Sequence, residues 1–307
     1  MEKYYIGVDI GGTSAKIGLF STEKDDIVKT WSVPTLKSSD EMIVINRIIE
    51  SIKEECASYS IEVNELAGIG IGVPGPVTEE GLVLKCANLG WDVVDLRGIV
   101  SNLTGVQNVG VANDANVAAL GEVWRGSGKE YGSIVMVTLG TGVGGGIIIN
   151  ERIHTGYAGA AGEIGHLTVN ADETEHCGCG ASGCLEQYAS ATGVVRLAKQ
   201  LYPEKYGQEL TAKDIFDAAK AGDEKALVIV DEFARYLGIA LSGVAKVVAP
   251  QAFVIGGGVA AAGNIIIDTV KKYYDEYSLF ALKNLPIVLA SLGNSAGMYG
   301  SVRMVKR

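Results

Sequence analysis

Cys177-x-Cys179-x4-Cys184 sets three thiols in a short glycine-containing segment, and an imidazole stands upstream at His166. Three thiolates and one imidazole form a closed tetrahedral zinc set, and a set with no open position is structural, not catalytic. His176, next to Cys177, is the alternative fourth ligand. Cys56 and Cys86 stand alone, so the five cysteines do not make a disulfide framework, and in a reducing compartment the crowding of the other three favours metal. Glu163-Ile164-Gly165-His166 and Glu186 flank the cluster. A carboxylate accepts hydrogen bonds from two neighbouring hydroxyls, and a metal-bound imidazole keeps its second nitrogen for a partner, so this group suits a sugar. The spacing alone fits two solvated loop charges equally well.

Asp114 follows the apolar run Asn108 to Ala112 and precedes the helical stretch Ala115 to Trp124. The carboxyl end of a strand is where α/β sheets place ligands. A short carboxylate there can accept the proton of an attacking hydroxyl, as phosphoryl transfer requires. The competing explanation is a helix N-cap, but a capping box needs Glu or Gln three residues on, and Val117 stands there.

Two glycine loops supply the other half of such chemistry. Gly11-Gly12-Thr13 lies between the apolar runs Tyr4 to Asp9 and Lys16 to Phe20, and the stretch Gly140 to Gly146 lies between Ile134 to Val137 and Ile147 to Ile149. Glycine lets backbone amides approach phosphate closely, Thr13 and Thr141 add hydroxyls, and Lys16 adds a cation. A Walker A or dinucleotide loop would open a helix at this point, whereas Lys16 to Phe20 has no helical start. Singly, each loop reads as a hairpin turn. Used twice, the device suits a nucleotide lying in a cleft between two domains.

The elements that must position these residues alternate between strand and helix. Ser38 and Glu41 have capping-box spacing ahead of Ile45, Ile48, Ile49 and Ile52 on one helical face. Ala67 to Val73 reads as a strand ending at Pro74-Gly75-Pro76, and Ala226 to Val248 as a long helix closed by Pro250. Phe253-Val254-Ile255 is a strand running into Gly256-Gly257-Gly258. Alternation of this kind predicts an α/β layer structure. With 307 residues, 48% of them hydrophobic, the chain predicts two domains: residues 1–116, completed by 295–307, and residues 117–294 carrying the zinc loop. The 41 glycines are nearly twice the usual share of about 7%, which fits several tight turns around ligands. A net charge of −10 offers no broad surface for nucleic acid. No apolar stretch reaches the roughly 18 residues of a membrane span, and the start reads as strand and glycines, not as a signal peptide. The expectation is a soluble cytoplasmic protein with neither nucleic-acid nor membrane partners.

Taken jointly, Asp9-Ile10-Gly11-Gly12-Thr13, Asn113-Asp114-Ala115-Asn116, Thr138-Leu139-Gly140-Thr141-Gly142, Glu163-x-Gly165-His166 and Cys177-x-Cys179-Gly180-x2-Gly183-Cys184-Leu185-Glu186 resemble the ROK family of repressors and sugar kinases, and within it the bacterial glucokinases. The resemblance implies an actin-like (ribonuclease H-like) fold of two α/β domains, with ATP and magnesium in the cleft, structural zinc, and assembly as a homodimer or homotetramer. By position it implies that Asp114 is the catalytic base. Gly11, Gly12 and Thr13, with Thr141 and Gly142, would hold the phosphates, Asp9 and Lys16 would belong to the same cofactor site, and Gly256, Gly257 and Gly258 would lie along the adenosine. Asn88, Asn113, Asp114, Glu163, His166 and Glu186 would surround the sugar, His166 also joining Cys177, Cys179 and Cys184 on zinc. Asn88-Leu89-Gly90-Trp91 resembles the glucokinase branch and leans towards glucose. N-acetylmannosamine kinases, the alternative, share the Glu-x-Gly-His and cysteine patterns. One departure is Asn294-Ser295-Ala296-Gly297, where many relatives carry aspartate after the asparagine. A sugar-sensing repressor of the same family would add a helix-turn-helix before the first loop; with that loop opening at Asp9 and an acidic chain, a kinase is expected.

Overall fold

The computed structural model describes residues 2–206 and 209–306. In chain order the first elements are β1 (Tyr4–Ile10), β2 (Ser14–Ser21), β3 (Asp26–Pro34), α1 (Met42–Ser58), β4 (Gly68–Val73), β5 (Leu82–Val83), β6 (Val94–Asp95), α2 (Leu96–Thr104), β7 (Val109–Asn113) and α3 (Asp114–Arg125). There follow β8 (Ile134–Leu139), β9 (Val143–Ile149), β10 (Arg152–Ile153), α4 (Glu186–Ala189), α5 (Ala191–Leu201), α6 (Ala212–Lys220), α7 (Glu224–Val248), β11 (Ala252–Gly256), α8 (Asn264–Tyr277), β12 (Ile287–Leu289) and α9 (Ala296–Val305).

The chain divides into two compact units, one of residues 1–130, 146–161 and 294–307, the other of residues 131–145 and 162–293. In the first, a five-stranded sheet runs β3-β2-β1-β4-β7. β1 and β2 form an antiparallel hairpin, while β4 lies parallel to β1 and β7 parallel to β4. β4 is buried along its whole length, as a parallel strand covered on both faces must be. Ile45, Ile48, Ile49 and Ile52 of α1 pack into the sheet's main core cluster, as their spacing predicts. The capping box expected ahead of them does not form: Glu41 is the N-cap residue without a side-chain bond, and Ser38 Oγ instead accepts from the Asp40 amide at 3.1 Å. The hydroxyl satisfies a nearer donor, two residues on, before it can reach the helix.

The boundary expected near Asn116 falls inside α3, which runs unbroken to Arg125 and packs on α9. Helix continuity carries the first unit on to Glu130. The second sheet has the order β10-β9-β8-β11-β12, with β11 parallel to both β8 and β12. The long helix read from Ala226 to Val248 is α7, and it packs with α8. The second glycine loop is shorter than its sequence suggests: only Gly140, Thr141 and Gly142 form the turn, since β9 already begins at Val143 and includes Gly144, Gly145 and Gly146. Among the described residues no helix is long and apolar enough to cross a membrane.

Candidate active site

In the first unit, three neighbouring parallel strands end side by side. In the ladder Asp9 of β1 pairs with Gly72 of β4, and Val73 of β4 pairs with Asn113 of β7. The cap of α3 is Asn113, not Asp114. Asn113 Oδ1 accepts from the amides of Ala115 at 2.9 Å and Asn116 at 3.2 Å, and its Nδ2 donates to Gly75 O at 3.1 Å. Asp114 is therefore the first helical residue, with one oxygen on the Ala115 amide at 2.8 Å. Burial holds its carboxyl above the ordinary aspartate range, opposed by the bonds to the Ala115 amide and the Asn113 side chain.

Asp9 is pushed up further, to about 6, first by burial and then by the charge of Asp114, with Lys16 opposing. Lys16 Nζ donates to Asn294 Oδ1 at 3.1 Å. A Cβ on Gly297 would lie 2.5 Å from Asp9 Cγ, so glycine is what lets the start of α9 reach Asp9. The stretch that departs from the family pattern, Asn294 to Gly297, is thus in contact with both Lys16 and Asp9. The Gly11-Gly12-Thr13 turn is tied by Gly11 N to Ser14 O at 2.9 Å and by Thr35, whose hydroxyl donates to Gly11 O at 2.8 Å. Gly12 and Thr13 remain exposed. Asn88, exposed on the tight turn closed by the Cys86 to Trp91 bridge, has its Cβ 3.9 Å from where a Gly12 Cβ would stand.

In the second unit, His166, Cys177, Cys179 and Cys184 bring one ligand atom each to within 4.8 Å of one another. Cys179 and Cys184 sulfurs are 3.6 Å apart, and Cys177 Sγ is 3.8 Å from His166 Nδ1. A zinc–sulfur bond of about 2.3 Å gives a tetrahedral edge of about 3.8 Å, so the four side chains fit zinc. His176 is not part of the set; its Nδ1 meets Ser182 Oγ at 3.3 Å. With Nδ1 of His166 towards the thiols, Nε2 lies 3.9 Å from Glu163 Oε2.

Glu186 opens α4 two residues beyond Cys184. Its Oε2 accepts from the Val143 amide at 3.0 Å, and its Oε1 stands 3.8 Å from Cys177 Sγ. A Cβ at Gly142 would come within 2.2 Å of Oε2, so glycine is required for that contact. A cavity of 460 Å³ opens between the Gly140-Thr141 turn, Gly258 and one face of α6. Gly258 lines it; Gly256 and Gly257 do not. Gly257 has φ +86°, and a side chain there would strike Leu139 O at 2.4 Å. The lining residues Lys213, Phe216 and Lys220 of α6 and its N-cap Thr211 are not marked by the sequence motifs, although Thr211-x-x-Asp214 is a capping box legible in the sequence and formed in the structure. A larger cavity, 680 Å³, lies in the first unit along β7 beside Arg97, Arg152 and Arg303, and none of the candidate catalytic, substrate, cofactor or metal residues lines it.

Solved structures of the same architecture are numerous. A ROK hexokinase from Thermus thermophilus superimposes with a TM-score of 0.84 at 31% identity over 99% of this chain and 98% of the other. A ROK family glucokinase from Streptomyces griseus in complex with glucose and AMPPNP does so at 0.77 and 34%, over 99% of both chains. The fold is thus that of the actin-like two-domain sugar kinases. A curated glucokinase from Halalkalibacterium halodurans is 39% identical over 100% of this chain and 96% of its own, and an N-acetyl-D-glucosamine kinase from Haemophilus influenzae is 30% identical over 98% of each. With the ROK family pattern matching residues 5–307, the chain belongs to the ROK family.

Proposed function

We propose that this chain transfers the γ-phosphoryl group of ATP to glucose, giving glucose 6-phosphate, with Asp114 as general base. The observation that carries the reading is the separation of capping from chemistry at the end of β7. Asn113 satisfies the helix amides, and Asp114 keeps a desolvated carboxylate with acceptor capacity to spare. Burial that raises its proton affinity brings a carboxylate closer to the range in which it accepts a hydroxyl proton efficiently. Asn88, Asn113, Glu163, His166 and Glu186 hold and orient the sugar, and His166 does so through the nitrogen not turned to the thiols.

On the nucleotide side, the amides of Gly11 to Thr13 and of Thr141 and Gly142 bind phosphate oxygens, with Lys16 as a cation. The 460 Å³ cavity bordered by Gly258 and α6 takes the nucleoside. Asp9 has the character of a magnesium ligand, a buried carboxylate at a strand end, since magnesium is held through one or two carboxylates together with substrate phosphates. Bound there, the ion would neutralise charge on the transferring phosphoryl group. His166, Cys177, Cys179 and Cys184 hold structural zinc, and the protein assembles as a homodimer or homotetramer.

A second reading, an N-acetylhexosamine kinase, is favoured by the relative from Haemophilus influenzae. ADP release across a panel of glucose, mannose, N-acetylglucosamine and N-acetylmannosamine separates the two. Highest kcat/KM with glucose is expected; equal or higher efficiency on an N-acetylated sugar overturns the glucose assignment.

A further inference from the structure

The corner where α4 passes into α5 holds a different loop on each side. On one side it grips the Gly140-Thr141-Gly142 turn. Thr192 Oγ1 donates to Thr141 O at 2.9 Å, the Ala191 amide donates to Gly140 O at 2.8 Å, and Glu186 Oε2 takes the Val143 amide. Within the corner, Ser190 Oγ donates to Glu186 O at 2.7 Å, accepts from the Gly193 amide at 2.9 Å, and lies 2.9 Å from Thr192 Oγ1. Ser190 Oγ and Thr192 Oγ1 are thus at hydrogen-bond distance, with either able to donate, and Ser190 keeps a lone pair free to accept.

On the other side the corner clamps the irregular segment that leads into the cysteines. Arg196 donates to Glu173 at 2.6 Å and to Glu175 at 3.0 Å. The Tyr188 hydroxyl donates to the same Glu173 oxygen at 2.6 Å, and the Tyr188 ring stacks on Tyr236 with centroids 4.0 Å apart. Tyr188, then the Glu175 amide and Arg196, hold the Glu173 carboxyl at about 2. A carboxylate that stays ionised through the whole working range keeps this clamp closed. Gln187 completes it, bonding Glu175 O at 2.9 Å and the Cys184 amide at 3.0 Å.

We infer that the α4–α5 corner is a two-sided positioning device in which Thr192 sets the nucleotide loop and the Glu173-Tyr188-Arg196 clamp sets the sugar loop, each independently of the other. None of Thr192, Glu173, Tyr188 or Arg196 is among the residues placed on substrate or metal above. The inference rests on the kinase reading for the meaning of the two loops. A loop held by one fewer hydrogen bond loses on the order of 1 kcal/mol of preorganisation, about fivefold in affinity.

The test is a double dissociation on the full-length zinc-loaded protein. Thr192→Val is expected to raise KM for ATP and weaken AMPPNP binding about fivefold, with the KM of the preferred hexose unchanged, and Thr192→Ser, which keeps the hydroxyl, is expected to restore both. Arg196→Lys and Tyr188→Phe are expected to raise the hexose KM about fivefold or more, with KM for ATP, AMPPNP affinity and bound zinc unchanged. The inference is overturned if either variant shifts both substrates together, if Thr192→Ser behaves like Thr192→Val, or if zinc is lost along with hexose affinity. AMPPNP binding and the split are read with whichever hexose the wild type turns over, so a wrong glucose assignment leaves this test intact.

Discussion

On the proposed function Asp9 serves the cofactor at a cost in stability, and Asp9→Asn measures that cost. Its carboxyl is raised from 3.8 to about 6, by burial first and by Asp114 second. At about 1.4 kcal/mol per pH unit of difference, keeping it ionised in the folded protein costs ~3 kcal/mol at pH 7. The sign follows from linkage. The folded state binds the proton more tightly than the unfolded chain, so the favourable contribution is fully present below about pH 4 and is lost as pH rises through 6. A neutral amide escapes this loss, so Asp9→Asn is expected to be more stable than wild type by ~2–3 kcal/mol at pH 7, with the advantage shrinking towards zero near pH 4. Losing the partner charge near Lys16 subtracts little, since that ammonium is already hydrogen-bonded to Asn294. Urea unfolding of the ligand-free protein at both pH values gives the comparison, and kcat should fall in the same variant. Equal or lower stability of Asp9→Asn at pH 7 would refute the claim that this carboxylate is held against its own desolvation.

The remaining expectations concern the cap and the metal. Asn113→Ala removes the acceptor of two α3 amides and the donor to Gly75 O, so thermal unfolding should show a loss of ~1–2 kcal/mol together with a higher KM for glucose. A stability change below a few tenths of a kcal/mol would mean that Asp114 takes over the cap. Chelation of zinc, or Cys179→Ser, should raise KM for glucose more than KM for ATP, because the four ligands lie in the loop segment carrying Glu163 and Glu186; elemental analysis finding no zinc in the purified protein would remove the basis for this.

What was legible in the sequence was whatever rests on local pattern. Continuous apolar runs marked β1, β2, β4 and β7, because strands of a covered sheet are apolar on both faces, and a one-face helical period marked α1. The cysteine spacing pointed to a cluster that could hold a metal ion, though only the fold separates His166, turned to the thiols, from His176, turned to Ser182. Legibility ended where a choice depended on three-dimensional competition. Ser38 takes the Asp40 amide, two residues on, and the N-cap falls at Glu41, so the capping box fails. Asp114 read as a possible cap, yet α3 starts at Asp114 itself and the side chain of Asn113 takes the cap, which only the positions of the helix amides reveal. The run Gly140 to Gly146 looked like one long loop, yet Gly145 and Gly146 belong to a strand whose neighbours leave no room for a Cβ. Thr192, Tyr188 and Arg196 gave no signal at all, since their partners are far away in sequence and form no motif.

If Asp114 takes the proton of the attacking hydroxyl, that role is read from kcat of Asp114→Asn with glucose and saturating ATP, alongside glucose affinity measured by calorimetry. Asparagine keeps the size of the side chain and leaves the Asn113 cap in place, so the variant should fold and bind glucose as the wild type does. A fall in kcat of roughly 10² to 10⁴, the range for loss of a general base, is predicted. Turnover within a few-fold of wild type, with glucose still bound, would contradict the account and leave Asp114 as only the first residue of its helix.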